Sequence, residues 1–334
     1  DNGGIFTLDN LDKYAKKISQ IVKATTRCVR SKQEGLIFIY SRYKQGGAIP
    51  IALALEEAGF TKYGGIPLLS NPQNGRKMDY RGFYEDEYEQ FDQTRKDELG
   101  RFTQAKYSIL TSENKDLPLS KFNDQEIRKS TLKNNIDGKF IKIIIGTGVV
   151  SEGVDFHNIR SLHVLEPWYN FSTLKQIIGR GVRFCRHSDL PLSKRNVMIH
   201  LYGTRYHNSL EYNDHETIDM LLYRLAQQKA KLIGRKTRLL KQNAIDCNLN
   251  KQVNILEDIG SFENSTFMNG NTGNIPVGDK AGSYICDFMD NCSYECTNEY
   301  VDDLNSNTTT FTTSRFYYEI DSYIMKIREA MEKH

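Results

Sequence analysis

Residues 143–156 read IIIGTGVVSEGVDF. Three successive isoleucines leave no polar alternation, so the segment suits a strand buried on both faces, as in a sheet covered by helices on each side. Gly146 ends the run, and Thr147 then falls at the carboxyl end of the strand, where open α/β sheets bind ligands. Gly153 lets backbone approach a ligand closely, and Asp155 offers a carboxylate to a sugar hydroxyl or a basic partner. Taken alone, the stretch reads equally well as a Thr- and Asp-containing turn.

The same rhythm recurs along the chain. Leu36–Tyr40 is an unbroken apolar run, followed by a polar loop with Gly46 and Gly47 and then by IPIALALEEAGF, a helix closed by Gly59. Residues 9–29 carry Leu11, Tyr14, Ile18, Ile21 and Val22 at helical spacing. Further strands are predicted at Tyr107–Leu110, Phe140–Ile145, Leu162–Leu165 and Val197–Tyr202, with a helix over 127–135. Residues 60–105 interrupt the pattern with Gly, Asn, Asp and Glu, and read as an insertion that is partly helical from about Tyr88. Strands alternating with helices predict an α/β fold with a doubly wound parallel sheet over residues 1–208.

Residues 209–334 form a second region, a mainly helical, basic extension with a small Cys-containing subdomain. Asn213-x-x-Glu216 is a capping-box pattern that starts a long helix. Ile218, Leu225, Leu232 and Leu239 fall seven apart and predict a stripe packed into the core. Met220 to Ile245 contains seven basic residues and no acid, a face that suits phosphate tracking as well as plain solvation. Lys229 and Arg235 are the candidates singled out on it. The end of the chain, residues 314–334, reads as a strand or turn entering a helix.

Bulk composition narrows the functional classes. The 334 residues are 39% hydrophobic and 26% charged, with a net charge of +3. Mean hydropathy is −0.57, and no apolar run reaches the ~18 residues of a membrane helix. DNGGIFTLDN has neither the basic nor the apolar region of a secretory signal, and the start without methionine suggests a piece of something longer. Six cysteines are too sparse for a disulfide scaffold and fit a reducing, intracellular compartment. Cys286, Cys292 and Cys296, with Cys247, are a weak zinc pattern, since no CxxC pair is present. No metal ligand is assigned.

A second stretch carries chemistry. Residues 172–183 read STLKQIIGRGVR. Arg180 and Arg183 are three apart, so a continuous helix places them on one face, with Gly179 and Gly181 keeping bulk away. Arginine presents a planar fork of donors that matches phosphate oxygens. The bland reading is an exposed basic helix making surface ion pairs.

Taken together, Thr147-x₅-Gly153-x-Asp155 and Gln176-x-x-Gly179-Arg180-x-x-Arg183 resemble motifs V and VI of superfamily 2 helicases, and GLIFIYSRYKQGG resembles motif IV. The phrase SLHVLEPWYNFSTLKQIIGRGVR is especially similar to helicases and early transcription factor-type ATPases of nucleocytoplasmic large DNA viruses. KAKLIGRKTRLLKQNAIDCNLN has the same character, and the likeness covers about residues 10–250. It implies a second RecA-like lobe. Arg180 and Arg183 would be arginine fingers toward an ATP γ-phosphate, and Gln176 would sense the nucleotide. Asp155 would lie near the ribose, with Gly153 and Gly179 giving room. Ser41, Arg42, Gly46, Gly47 and Thr147 would follow the backbone of DNA or RNA. Gln176 departs from the histidine that many relatives carry, which shifts the subgroup and not the function.

No G-x-x-x-x-G-K-[ST] loop occurs; GRKT at 234–237 lacks the leading glycine and the strand. ATP and Mg²⁺ would therefore be held mostly by a first RecA-like lobe of the same polypeptide, and this segment alone is expected to be inactive. The resemblance also implies a viral RNA polymerase as partner and the host cytoplasm and virion as location. Three functions stay open: a helicase, a translocase or transcription factor that remodels polymerase complexes without unwinding, and a non-catalytic docking module for nucleic acid or polymerase.

Overall fold

The computed structural model describes residues 4–32, 35–64, 67–111, 135–148, 156–206, 216–255, 260–267 and 271–297. The predicted helix over 127–135 falls almost wholly outside these residues. Asn213 of the capping box, Gly153, Asp155 and the segment 314–334 lie outside them entirely.

Six strands form one sheet: β1 Leu36–Tyr40, β2 Thr61–Lys62, β3 Lys106–Leu110, β4 Ile143–Gly146, β5 Ile159–Val164 and β6 Met198–Leu201. Their order is β2-β3-β4-β1-β5-β6 and every pairing is parallel. This is the doubly wound arrangement expected from the sequence. β1 lies between β4 and β5, which explains why LIFIY has no polar position: all five residues are buried. Ile37 and Ile39 enter the core under α1 (Leu8–Tyr14), α2 (Lys16–Arg30) and α3 (Ile49–Glu57). Leu36, Phe38 and Tyr40 enter the opposite core, under α6 (Phe171–Gly181). Each such side chain contributes ~1.5–3 kcal/mol on burial, so the alternation fixes the strand register firmly.

Three local readings change. The single helix over 9–29 is two helices, broken at Ala15, whose φ of −145° leaves the helical region. The start of the 60–105 segment belongs to the sheet as edge strand β2, and helicity begins earlier than Tyr88, with α4 at Glu85–Glu89 and α5 at Gln93–Leu99. Two buried glutamates of α3 hold the chain beyond β2. Glu56 accepts from the amides of Leu68 and Leu69 and from the Tyr107 hydroxyl, and Glu57 accepts from the amides of Gln73 and Asn74. Asp79, fully buried, receives the Arg81 guanidinium and the Thr103 amide. The acidic composition of the insertion is thus partly internal wiring.

The long helix α7 spans Ile218–Asn243 and α8 spans Cys247–Asn254. The heptad stripe does not form the core: Ile218, Leu232 and Leu239 are exposed, while Ala226, Ala230, Gly234 and Arg238 are buried. The reason is close approach. A Cβ at Gly234 would lie 2.2 Å from the carbonyl oxygen of Asp287, so the small residues, spaced by four, mark the packed face. An antiparallel hairpin, β7 Gly260–Thr266 with β8 Thr272–Val277, lies within the region read from the sequence as mainly helical.

By chain contacts the molecule divides into one unit of 1–233 with 259–277 and another of 234–258 with 278–334. The second unit has its own polar centre. Asp287 accepts from Arg238 Nε at 3.0 Å and from Lys241 Nζ at 2.9 Å, and Arg238 also donates to the carbonyls of Cys286, Asn291 and Ser293. Cys247 pairs with Cys296 and Cys286 with Cys292. These are the four cysteines of the weak zinc pattern, in a chain whose cysteine count argues against a disulfide scaffold. The fold instead brings four of the cysteines into two close pairs.

Candidate functional site

Helix α6 presents two faces. Leu174, Ile177 and Gly181 are buried. A Cβ on Gly181 would sit 2.9 Å from Leu162 Cδ1 and 3.1 Å from Ile159 Cγ2, so glycine is what lets the helix end lie against β5. The other face carries Gln176, Gly179 and Arg180, at helical spacing of three and four. Among the described residues nothing lies within 4 Å of a Cβ built at Gly179, so this face is open to them. Asn170 caps the helix by accepting from the Thr173 amide at 2.9 Å.

Arg183 is not on the helix. The helix ends at Gly181 and Val182 is extended, so Arg183 follows on an exposed turn and does not share a helical face with Arg180. The reason is local: the next residues are drawn back toward the start of β5. The Asn158 amide donates to the Arg186 carbonyl at 3.0 Å, Arg186 Nη1 lies 3.0 Å from His157 Nε2, and His187 Nε2 lies 2.7 Å from the Ile159 carbonyl. Asn158 and Cys185 both take φ near +60°, the conformation that makes the two tight turns. The turn bearing Arg183 is therefore fastened to the residues that follow directly on Gly153 and Asp155. Lys175, one residue before Gln176, is withdrawn from water, which pushes its pKa down to about 8.

The carboxyl edge of the sheet carries the second cluster. Ser41 is fully buried and donates to Glu166 at 2.9 Å, and the Arg42 amide donates to the other Glu166 oxygen at 2.8 Å. Burial pushes the Glu166 carboxyl up, and these two donors pull it back toward the charged form. The polar loop expected here is a π-helical turn, Lys44–Ala48, running into α3; a Cβ at Gly47 would lie 1.9 Å from Ser41 Oγ, so Gly47 admits the turn to this position, whereas Gly46 is exposed. Thr147 is buried and its hydroxyl donates to the Leu110 carbonyl. The hydroxyls of Ser41 and Thr147, expected to touch a nucleic-acid backbone, have other partners, because both lie below the loop surface.

What the edge does present is aromatic and basic. The Arg42 guanidinium lies 4.6 Å over the Trp168 ring and 5.6 Å from the Tyr43 ring, and Lys229 lies 4.6 Å over Tyr169. Trp168 also packs against the core, so it serves as a fixed platform. Arg235 and Lys236 are exposed on α7, while Arg238, Lys241 and Arg224 are in ion pairs. Sequence reading missed Glu166 and the His157–Arg186 contact. Glu166 had one available signal, a carboxylate placed just past an apolar strand.

Among the described residues no group of three His, Cys, Asp or Glu could hold a metal ion, and no helix is long and apolar enough to cross a membrane. The open face of α6 carries the polar side chains of Gln176 and Arg180, and the turn beyond it carries Arg183, donor types that suit phosphate oxygens. It offers nothing for the metal.

Residues 90–185 match the Helicase conserved C-terminal domain family. The chain is 27% identical over 294 residues to a protein described as a helicase, 087L of Invertebrate iridescent virus 3, covering 87% of this chain and 24% of that protein. It is 28% identical over 308 residues to a protein described as an ATP-dependent RNA helicase, L377 of Acanthamoeba polyphaga mimivirus, covering 88% and 25%. Nucleoside triphosphatase I of Heliothis armigera entomopoxvirus is 32% identical over 163 residues, 48% of this chain and 23% of that protein. The chain spans about a quarter of the length of the curated relatives it matches. The likeness to a helicase C-terminal lobe of viral type, read from the motifs, is thereby shown.

Proposed function

We propose that this chain is the second motor lobe of an ATP-dependent nucleic-acid motor of the viral helicase type. The observation that carries the reading is the joining of two motifs. Residues 157–159, which follow Asp155, are tied to the Arg183–His187 turn that ends the Gln176–Arg180 helix. Bound ATP with Mg²⁺ would supply a transferable phosphoryl group, held largely by a first lobe. Gln176 and Arg180 then offer donors from the open helix face, and Arg183 adds a guanidinium from the turn. Such cations stabilise charge developing on phosphoryl oxygens, an effect worth about 10³–10⁵ in rate for an arginine finger. Asp155, with Gly153 and Gly179 giving space, is assigned to the ribose side.

The nucleic-acid track is assigned to the carboxyl edge: Arg42, Gly46 and Gly47 with the Trp168 platform, and Lys229 on α7. Arg235, in the second unit, is assigned to nucleic-acid contact by itself. Ser41 and Thr147 shape this edge from beneath. A second reading is a translocase or transcription factor that remodels polymerase complexes without strand separation; similarity to a nucleoside triphosphatase supports the hydrolysis that both readings share.

In the intact protein, Arg180→Ala and Arg183→Ala should each remove most ATP hydrolysis while leaving oligonucleotide binding largely in place. Unchanged hydrolysis in both variants rejects the finger assignment. A duplex-unwinding assay beside the ATPase assay separates helicase from translocase, and an intact protein with no ATPase at all points to the docking module.

A further inference from the structure

A second opening lies beside the proposed track, and most of its lining falls outside the motif-like stretches. It is a cavity of about 610 Å³ bounded by the break at Ala15, the Tyr43–Gly46 loop and the segment Tyr202–Arg205 that follows β6. That volume is in the ~300–1,000 Å³ range of small-ligand sites. Two tyrosines on its lining stand far out of the protein, Tyr14 at 73% and Tyr43 at 53% exposure. Neither ring contributes to the cores below, so their exposure has no packing explanation.

The charges of the cavity are unequal. Its acids are already engaged. Glu166 is held by Ser41 and the Arg42 amide, and Asp219, beside it, by Lys17 at 2.8 Å and by the Thr204 amide at 2.7 Å. Lys16 and Arg205 are exposed, and neither is in an ion pair among the described residues. A ligand entering here meets two aromatic faces and two uncommitted cations. Aromatic faces take any base, and the cations take its phosphate.

We propose that this cavity is a nucleotide-binding pocket that receives one unstacked nucleotide of a single strand leaving the Arg42–Trp168 edge, with Tyr14 and Tyr43 against the base and Lys16 and Arg205 toward the phosphate. Tyr43 and Gly46 belong both to the cavity and to the loop that carries Arg42, so the strand reaches the pocket without a gap. The inference rests on the nucleic-acid reading of that edge and adds contacts from Tyr14, Lys16 and Arg205, which lie outside the motif-like stretches.

The test is fluorescence anisotropy of the full 334-residue chain with labelled twelve-nucleotide dT and U oligonucleotides. Tyr14→Ala and Tyr43→Ala should each weaken binding about 5- to 150-fold, the range for loss of one base–aromatic stack. Tyr14→Phe should restore it. Lys16→Ala and Arg205→Ala should each lower the slope of log K against log salt by about 0.7. Retained circular dichroism spectra in the variants exclude misfolding. If Arg42→Ala weakens binding and the Tyr14, Tyr43, Lys16 and Arg205 variants do not, the pocket is wrong and the edge stands. If none of them weakens binding, both assignments fall. Displacement of the oligonucleotide by micromolar 5′-mononucleotide overturns the strand and makes the pocket a free-nucleotide site; a mononucleotide without effect supports the strand.

Discussion

Arg186 Nη1 lies 3.0 Å from His157 Nε2, and the Arg186 carbonyl accepts the Asn158 amide. These contacts join the end of one motif to the end of the next. Arg183 lies three residues before Arg186, on an exposed turn beyond the helix. If Arg183 acts as proposed, Arg186 is its positioning residue.

In the intact protein, Arg186→Ala should lower kcat for ATP hydrolysis by about 10-fold or more, in line with the sensitivity of catalytic placement, and should leave KM nearly unchanged. Arg183→Ala should cost more. A loss of folding stability without any change in kcat would assign the contact to structure alone.

Gly47→Ala should destabilise the loop. The added methyl would fall 1.9 Å from Ser41 Oγ and 3.1 Å from Glu166 Oε1. Overpacking of this kind costs ~1–3 kcal/mol. Thermal or urea unfolding reads the loss, and Gly46→Ala, with no neighbour nearer than 3.9 Å, serves as the mild control. Equal effects at both positions would contradict the geometry.

Acid should weaken the fold through His163. It is buried, stacked on His200 at 4.6 Å and hydrogen-bonded to Ser161 and Tyr202. Burial lowers its pKa from 6.5 to about 3. The unfolded chain then binds a proton that the folded chain refuses, so this contribution is intact above pH 6.5 and is lost as pH falls toward about 3. The slope approaches ~1.4 kcal/mol per pH unit within that window. Urea unfolding at several pH values should show a shallower acid limb in His163→Asn than in the native sequence. Parallel limbs would mean that His163 titrates normally in the fold.

Reduction should loosen the second unit. Cys247–Cys296 closes a separation of 49 residues and Cys286–Cys292 one of 6. Chain-entropy arguments give ~4 kcal/mol for the longer loop and ~2 kcal/mol for the shorter. Cys247→Ser should therefore cost more than Cys286→Ser, measured by proteolysis of the unit with and without dithiothreitol. Insensitivity of proteolysis to the reductant would show that the pairs contribute nothing.

The sequence by itself determined the sheet. LIFIY and IIIG lack polar positions because both faces of a central parallel strand are covered, and that constraint is local enough to read directly. It also put Gln176 and Arg180 on one helix face, since helix spacing acts over a few residues. Tertiary structure decided what depends on distant partners. Arg183 leaves the helix because residues 157–159 hold the turn after it. Ser41 and Thr147 turn inward because Glu166 and Leu110 accept their hydroxyls. The buried face of α7 follows its small residues and not its leucines, because backbone carrying Asp287 must come close to Gly234. Periodicity reports which residues are apolar, but only packing shows which face finds a partner.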